Sequence, residues 1–297
     1  MSAHAQTGSS QRITVNSFAA LKAAERPIVM LTAYDHPSAR LAEKAGVDAV
    51  LVGDSVGMTV LGLDSTLAVS MDDMVRHCSA VSSACERVLI VADMPFMSYQ
   101  AELAEGVRNA GRLVAEGGAH AVKVEGASAA TLELVDRLVA AGVPVMGHLG
   151  LTPQSVHALG GYRSQARDGQ AGAKLMRDAL ALEKAGAFAV VLECIPAELA
   201  ERVSGLLGVP TIGIGAGAGC DGEVQVFHDL LGLGERLPRH AKRYADVSAA
   251  IVSAVEQYAA DVREGRFPGD DQTVHADPEA LAEAELLFAG DIDGSEL

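Results

Sequence analysis

The sequence predicts a (β/α)8 barrel, and three observations carry that prediction. Eight short apolar runs alternate with segments of helical periodicity. The runs are apolar at nearly every residue, as strands covered by helices on both faces must be. The exceptions fall at the C-terminal ends of the runs, where a barrel of this kind gathers its active site. The chain has 297 residues, 49% of them hydrophobic, enough for one large barrel or for two modest domains. Parallel strands require crossover connections, and eight such units within roughly 210 residues favour a closed α/β barrel over an open doubly wound sheet.

In chain order the runs are IVMLTA from Ile28, DAVLVGD ending at Asp54, VLIVADMP ending at Pro95 and HAVKVEG ending at Gly126. VPVMGHLG to Gly150, FAVVLEC to Cys194, VPTIGIGAG to Gly217 and GEVQVFHDLL to Leu231 complete the eight. Between most of them stand HPSARLAEKAG, SMDDMVRHCSAVSSAC, SYQAELAEGVRNAGRLVAEGG, SAATLELVDRLVAAG and GAKLMRDALALEKAG, each with apolar residues near i, i+3, i+4 and i+7. Gly46, Gly118, Gly142 and Gly186 occupy the places of helix C-caps. From Ala241 to about Glu264 an amphipathic pattern predicts a long helix that closes the outer ring. The expected organisation is a flexible N-terminus over 1–14, a single barrel domain over 15–268 and an acidic tail over 269–297. Within that tail, Thr273 to Leu297 is expected to pack poorly unless a neighbouring subunit orders it.

Composition excludes several classes of partner. Lys plus Arg is 23 against 39 for Asp plus Glu, a formal charge of -16 that repels nucleic acid and anionic membranes. The N-terminus lacks a basic segment followed by an apolar stretch, and no run reaches the roughly 18 apolar residues of a membrane span, so a soluble cytoplasmic protein is expected. Cys78, Cys85, Cys194 and Cys220 show no CxxC pair and no zinc spacing, and read as reduced thiols. TIGIGAGAGCDG has glycines at 213, 215, 217 and 219, but Ala218 breaks any G-x-G-x-x-G fingerprint and no helix follows directly. Its glycines are expected to let a ligand or a neighbouring backbone approach a strand end.

The polar exceptions are Asp54, Asp93, Lys123 with Glu125, His148 and Glu193, ending the second to sixth runs. Side chains two apart on a strand share a face, so Glu193 points inward with Val191 and Ala189, and Lys123 and Glu125 share the inner face. Cys194 is expected to point away from Glu193 and to pack. Taken singly, each has a structural alternative: a strand-end Asp caps a loop or helix, a His beside Gly is hydrogen-bonded scaffold, and Lys123 with Glu125 forms a satisfied ion pair. Together at one rim they point to a common active site.

Their chemistry suggests an enolate. Asp54 and Asp93 lie on consecutive strands about 5 Å apart, which lets one oxygen from each reach a Mg²⁺ at about 2.1 Å. Glu125, one strand on, binds directly or through water. Oxygen-only ligands favour a hard cation, and its open positions suit an α-keto acid whose carboxylate or developing enolate Lys123 would meet. Glu193, across the barrel from the aspartates, is the candidate base, and His148 the candidate orienter.

With these motifs in hand, the chain resembles the ketopantoate hydroxymethyltransferase family. The resemblance spans about Val15 to Pro268 through MLTAYD, VGDSVGMTVLG, VADMPFMSY, AVKVEG, VMGHLGLTPQSV, LALEKAGAFAVVLECIP, IGIGAG, CDG and KRYAD. It implies a barrel of the phosphoenolpyruvate/pyruvate type that moves a hydroxymethyl unit from 5,10-methylenetetrahydrofolate to 3-methyl-2-oxobutanoate, giving 2-dehydropantoate. It implies Mg²⁺ on Asp54 and Asp93, Glu125 completing the metal's surroundings, Glu193 as proton acceptor, and keto-acid contacts from Asp54, Ser55, Asp93 and Lys123. It also implies a cytoplasmic decamer. The chain departs from the family's GGYKVQGR with GGYRSQAR, where Ser164 and Ala166 replace Val and Gly. Two alternatives stay open: an isocitrate-lyase-like enzyme, whose usual KKCGH-type loop is absent here, and a binding protein on a degenerate barrel, which should have lost some rim carboxylates.

Overall fold

The computed structural model describes residues 12–234 and 237–293. The expected flexible N-terminus falls almost wholly outside them. Two compact units divide the chain, Met1–Ala245 and Asp246–Leu297.

In the first unit, α1 (Val15–Ala23), β1 (Ile28–Thr32), α2 (His36–Ala45), β2 (Ala49–Val52), α3 (Val56–Thr59), α4 (Met71–Ser82) and β3 (Leu89–Asp93) open the barrel. Then come α5 (Leu103–Ala115), β4 (Ala121–Glu125), α6 (Ala129–Ala140), β5 (Val145–Gly150), α7 (Gly169–Lys184) and β6 (Ala189–Glu193). Finally α8 (Ala197–Leu206), β7 (Thr211–Ile214), β8 (Gly222–Gln225) and α9 (Phe227–Leu231) follow. The eight strands are parallel and closed, β8 pairing with β1.

Strand alternation sorts the core into two layers. Ala49, Leu51, Leu89, Val91, Ala121, Met146, Ala189 and Val191 fill the barrel, while Val50, Val52, Ile90, Val122, Val124, Val190 and Leu192 pack under the helices. The four predicted C-cap glycines all take positive φ, from 75° at Gly118 to 100° at Gly186, the conformation that ends a helix at no Cβ cost. The short helix α1, absent from the periodicity, closes the N-terminal mouth. Its Phe18 is fully buried, edge-on to Phe188 at 5.8 Å, and Lys22 pairs with Asp221 at 2.9 Å.

Two expectations change. The eighth run is a strand only to Gln225; its second half is helix α9, with Leu230 N donating to Val226 O at 3.0 Å. Apolar residues at 226, 227, 230 and 231 follow helical spacing, which outweighs the β-branched start of the run. The helix expected over Ala241–Glu264 begins only at α10 (Val247–Arg263), in the second unit, and no residue of it is fully buried. Ile251, Val252, Val255 and Tyr258 are at least half exposed. In the tail, α11 (Pro278–Asp293) is helical, yet every residue from 271 to 290 is exposed. The glycine-rich loop behaves as expected: a Cβ at Gly217 would overlap Ala197 at the start of α8.

Candidate active site

Closure turns the strand-end residues into neighbours. Lys123 is in register with Asp93, Glu125 with His148, and Glu193 with Gly150. Asp54 follows β2 at the turn into α3, where its backbone N–H donates to Asp93 Oδ2 at 3.0 Å. Lys123 Nζ lies 3.1 Å from Asp93 Oδ1 and 3.1 Å from His148 Nδ1. The ion pair weighed as a structural alternative for Lys123 and Glu125 is made with Asp93 instead. His148 stands between two glutamates, Nδ1 3.4 Å from Glu125 Oε1 and Nε2 3.3 Å from Glu193 Oε2. All six lie at one end of the barrel, on the floor and wall of a cavity of about 920 Å³. Ser55 also lines it, its hydroxyl 2.9 Å from Tyr34 Oη.

The position of Glu193 is set by a glycine. At Gly150, with φ of 94°, a Cβ would collide with the Glu193 carbonyl that accepts from Leu151 N at 2.8 Å. Only a residue without a side chain lets the two strand ends approach so closely.

The electrostatics are those of a site short of positive charge. Burial, then the Asp93 and Glu125 carboxylates, push Asp54 well above the usual carboxylate range, against Lys123 and a hydrogen bond from Gln154. Burial also raises Asp93, although Lys123 and the Asp54 N–H pull it back. Burial opposes the charge on Lys123, but Asp93, Glu125 and Asp54 hold it firmly protonated. Burial and Lys123 likewise oppose an imidazolium at His148, and Glu125 and Glu193 outweigh them, so its pKa is raised. One ammonium faces several carboxylates in a low-dielectric pocket, a balance that an added cation would restore.

The donors fit a hard cation. Asp93 Oδ1 and Glu125 Oε1 are buried without an aligned hydrogen bond, and all available carboxylate donors are oxygens. Among the described residues, no three His, Cys, Asp or Glu side chains form a ready-made cage. Mg²⁺ needs none, since it keeps several waters and takes only one or two carboxylates.

A model of the family described as ketopantoate hydroxymethyltransferase matches residues 12–270. The chain belongs to this family. A 3-methyl-2-oxobutanoate hydroxymethyltransferase from Carboxydothermus hydrogenoformans is 53% identical over 271 residues, 91% of this chain and 98% of that one. Another from Gluconacetobacter diazotrophicus is 53% identical over 274 residues, 92% and 98% of the two chains. Among solved structures, a phosphonopyruvate hydrolase in complex with oxalate and Mg++ shares the fold with a TM-score of 0.57 at 15% identity, covering 95% of this chain and 99% of that one. A 2,3-dimethylmalate lyase of the PEP mutase/isocitrate lyase superfamily does so with a TM-score of 0.57 at 20% identity, covering 94% and 97%. The chain is thus a transferase by family, and its fold is the closed eight-stranded barrel that the sequence predicted.

Several further residues line or brace this site, some of them inside the family motifs, without the strand-end charge that singled out the others. Gln154, in a loop after β5, donates to Asp54 Oδ2 at 2.8 Å, and Tyr99 Oη accepts from Glu125 N at 2.9 Å. Tyr162, Arg163 and His240 line the mouth of the cavity. Cys194 does not pack away from Glu193. It takes φ of 49°, which ends the strand's alternation, and its Sγ lines the cavity 3.6 Å from His240 Nδ1. Burial pushes its thiol up to about 11, far from a reactive thiolate. Of the two departures from the family loop, Ser164 lines the cavity and Ala166 sits at φ of 53°.

Proposed function

We propose that the chain transfers a hydroxymethyl group from 5,10-methylenetetrahydrofolate to 3-methyl-2-oxobutanoate. Water is consumed, and 2-dehydropantoate and tetrahydrofolate are released, the first committed step of pantothenate and coenzyme A synthesis. The observation that carries this reading is a contrast among carboxylates. The Glu193 side chain is 15% exposed, whereas those of Asp93 and Glu125 are 4% exposed each. One carboxylate is open to a ligand and free of lysine; the others are sunk beside Lys123. A reaction through an enolate needs both kinds, one to take a proton and the others to hold compensating charge.

Asp54 and Asp93 would hold Mg²⁺, with Glu125 beside them. When bound, the ion supplies positive charge to the keto oxygen as negative charge develops there. The same-fold hydrolase described with oxalate and Mg++ supports that choice, because oxalate offers the two adjacent oxygens that a keto acid offers. Glu193 takes the proton from C3 of the keto acid, and His148 holds the carboxylate's Oε2 edge in place. Lys123, its charge secured by its neighbours, meets the substrate carboxylate, and the Ser55 hydroxyl donates to it. Apolar walls from Leu51, Val191, Ile214 and Val224 exclude water around the isopropyl group.

On the same reading the chain is a cytoplasmic homo-oligomer, a decamer, whose partners are the keto acid and the folate, with no nucleic acid or membrane. The test is a turnover assay in which keto acid, methylenetetrahydrofolate and Mg²⁺ are each omitted in turn. Product formation should need all three, and product formed without folate or without metal would sink the reading.

A further inference from the structure

We propose that Gln154 is the positioning residue that decides which carboxylate oxygens the site presents to its cation. The proposal rests on the reading that Asp54, Asp93 and Glu125 surround a metal. It is carried by a hydrogen-bond network in which every valence of one buried amide is used.

Gln154 is the middle residue of a single 3₁₀ turn, Pro153–Ser155, after β5, and it is 6% exposed. Its Nε2 donates to Asp54 Oδ2 at 2.8 Å and to the Met94 carbonyl at 2.9 Å. Its Oε1 accepts from Tyr99 Oη at 3.1 Å and from Gln100 Nε2 at 2.9 Å. Its backbone N–H donates to Glu125 Oε2 at 3.0 Å. The orientation of the amide is forced. A carboxylate and a carbonyl only accept, so the nitrogen must face Asp54 and Met94. Tyr99 Oη already accepts from Glu125 N, so its own proton goes to Gln154 Oε1.

The consequence is a pattern across three carboxylates. Each has one oxygen tied to a neutral N–H: Asp54 Oδ2 to Gln154 Nε2, Glu125 Oε2 to Gln154 N, and Asp93 Oδ2 to Asp54 N. The other oxygens carry no tie to a neutral N–H of this kind; Lys123 Nζ lies 3.1 Å from Asp93 Oδ1, and His148 Nδ1 lies 3.4 Å from Glu125 Oε1. Asp93 Oδ1 and Glu125 Oε1 are buried without an aligned hydrogen bond. Two of the three ties end on Gln154, the third on Asp54 itself. A neutral amide fixes these rotamers while leaving the negative charge intact; a lysine or arginine there would fix them by cancelling the charge the cation needs.

The test is isothermal titration of Mg²⁺ alone, alongside thermal melting. Gln154→Leu keeps the backbone donor to Glu125 and removes both side-chain donors, and its Mg²⁺ affinity should fall about 10–100-fold. Gln154→Glu keeps the shape but sets oxygen against Asp54 and Met94, and should lose at least as much. Tyr99→Phe, a milder change that keeps Gln154, should lose roughly threefold by loosening Oε1; it decides the matter if neither Gln154 variant folds. A lower Tm with Mg²⁺ affinity unchanged would mark a scaffold residue and overturn the proposal. If the unaltered protein fails to bind Mg²⁺, the metal reading falls and takes this inference with it. Tight binding by the unaltered protein with equal binding by the folded variants sinks this inference alone.

Discussion

On the proposed reading Glu193 is the proton acceptor, and its replacement should separate proton abstraction from metal binding. Glu193→Gln keeps the shape beside His148 but removes the base. Deuterium exchange at C3 of 3-methyl-2-oxobutanoate should be abolished, with Mg²⁺ affinity nearly unchanged; exchange at the native rate would remove Glu193 as the proton acceptor. The raised aspartates make a second residue-level prediction. A folded-state pKa above the unfolded one means that the metal-free fold gains stability from Asp54 and Asp93 below the ordinary aspartate pKa. That gain is lost as pH rises through the folded values. Mg²⁺ displaces those protons, so its affinity should weaken as pH falls through the elevated range. Asp54→Asn or Asp93→Asn should weaken binding at all pH values, as titration calorimetry at several pH values would show. At this scale much was legible: Asp54, Asp93, Lys123, Glu125, His148 and Glu193 stand out because charge at the end of an apolar strand is costly without a use. Gln154 was not legible, because a polar loop residue after Pro153 costs nothing in solvent, and only folding buries it.

Among the elements, the loop from 157 to 168 holds a local conflict. Ala166 sits at φ of 53°, where a Cβ is unfavourable, and Gln165 N ties this stretch to the Cys194 carbonyl at 2.9 Å. Ala166→Gly should relieve the strain and raise stability by about 0.5–1 kcal/mol, read as a higher denaturation midpoint. No gain would mean that the Ala166 contacts with the core outweigh the backbone cost. The helix and strand runs were legible where period and caps agreed, as in α2, where Asp35 caps the start and Gly46 ends the last turn. The eighth run was not, because GEVQV reads as strand while VFHDLL reads as helix, and no breaker separates them. Cys194 misled for a related reason: alternation holds only while φ stays extended, and one left-handed residue ends it.

For the whole molecule, the second unit poses the open question of assembly. Ile251, Val252, Val255 and Tyr258 of α10 and Leu286, Leu287 and Phe288 of α11 are 50–76% exposed, more apolar surface than a soluble monomer usually leaves bare. The protein should run as an oligomer, a decamer by light scattering after gel filtration, and a monomer at micromolar concentration would refute that expectation. Among the described residues, no helix is long and apolar enough to cross a membrane.

By itself the sequence determined the barrel and the cluster of charged residues at its rim. Both are written in local periods, apolar runs of strand length, helical spacing between them, and charges at strand ends where alternation aims them inward. Tertiary structure decided who meets whom. Closure put Lys123 against Asp93 rather than Glu125, set His148 between two glutamates, and brought a loop glutamine under Asp54. Such partnerships depend on strand register and loop path, which are properties of the closed sheet and cannot be read from neighbours in sequence.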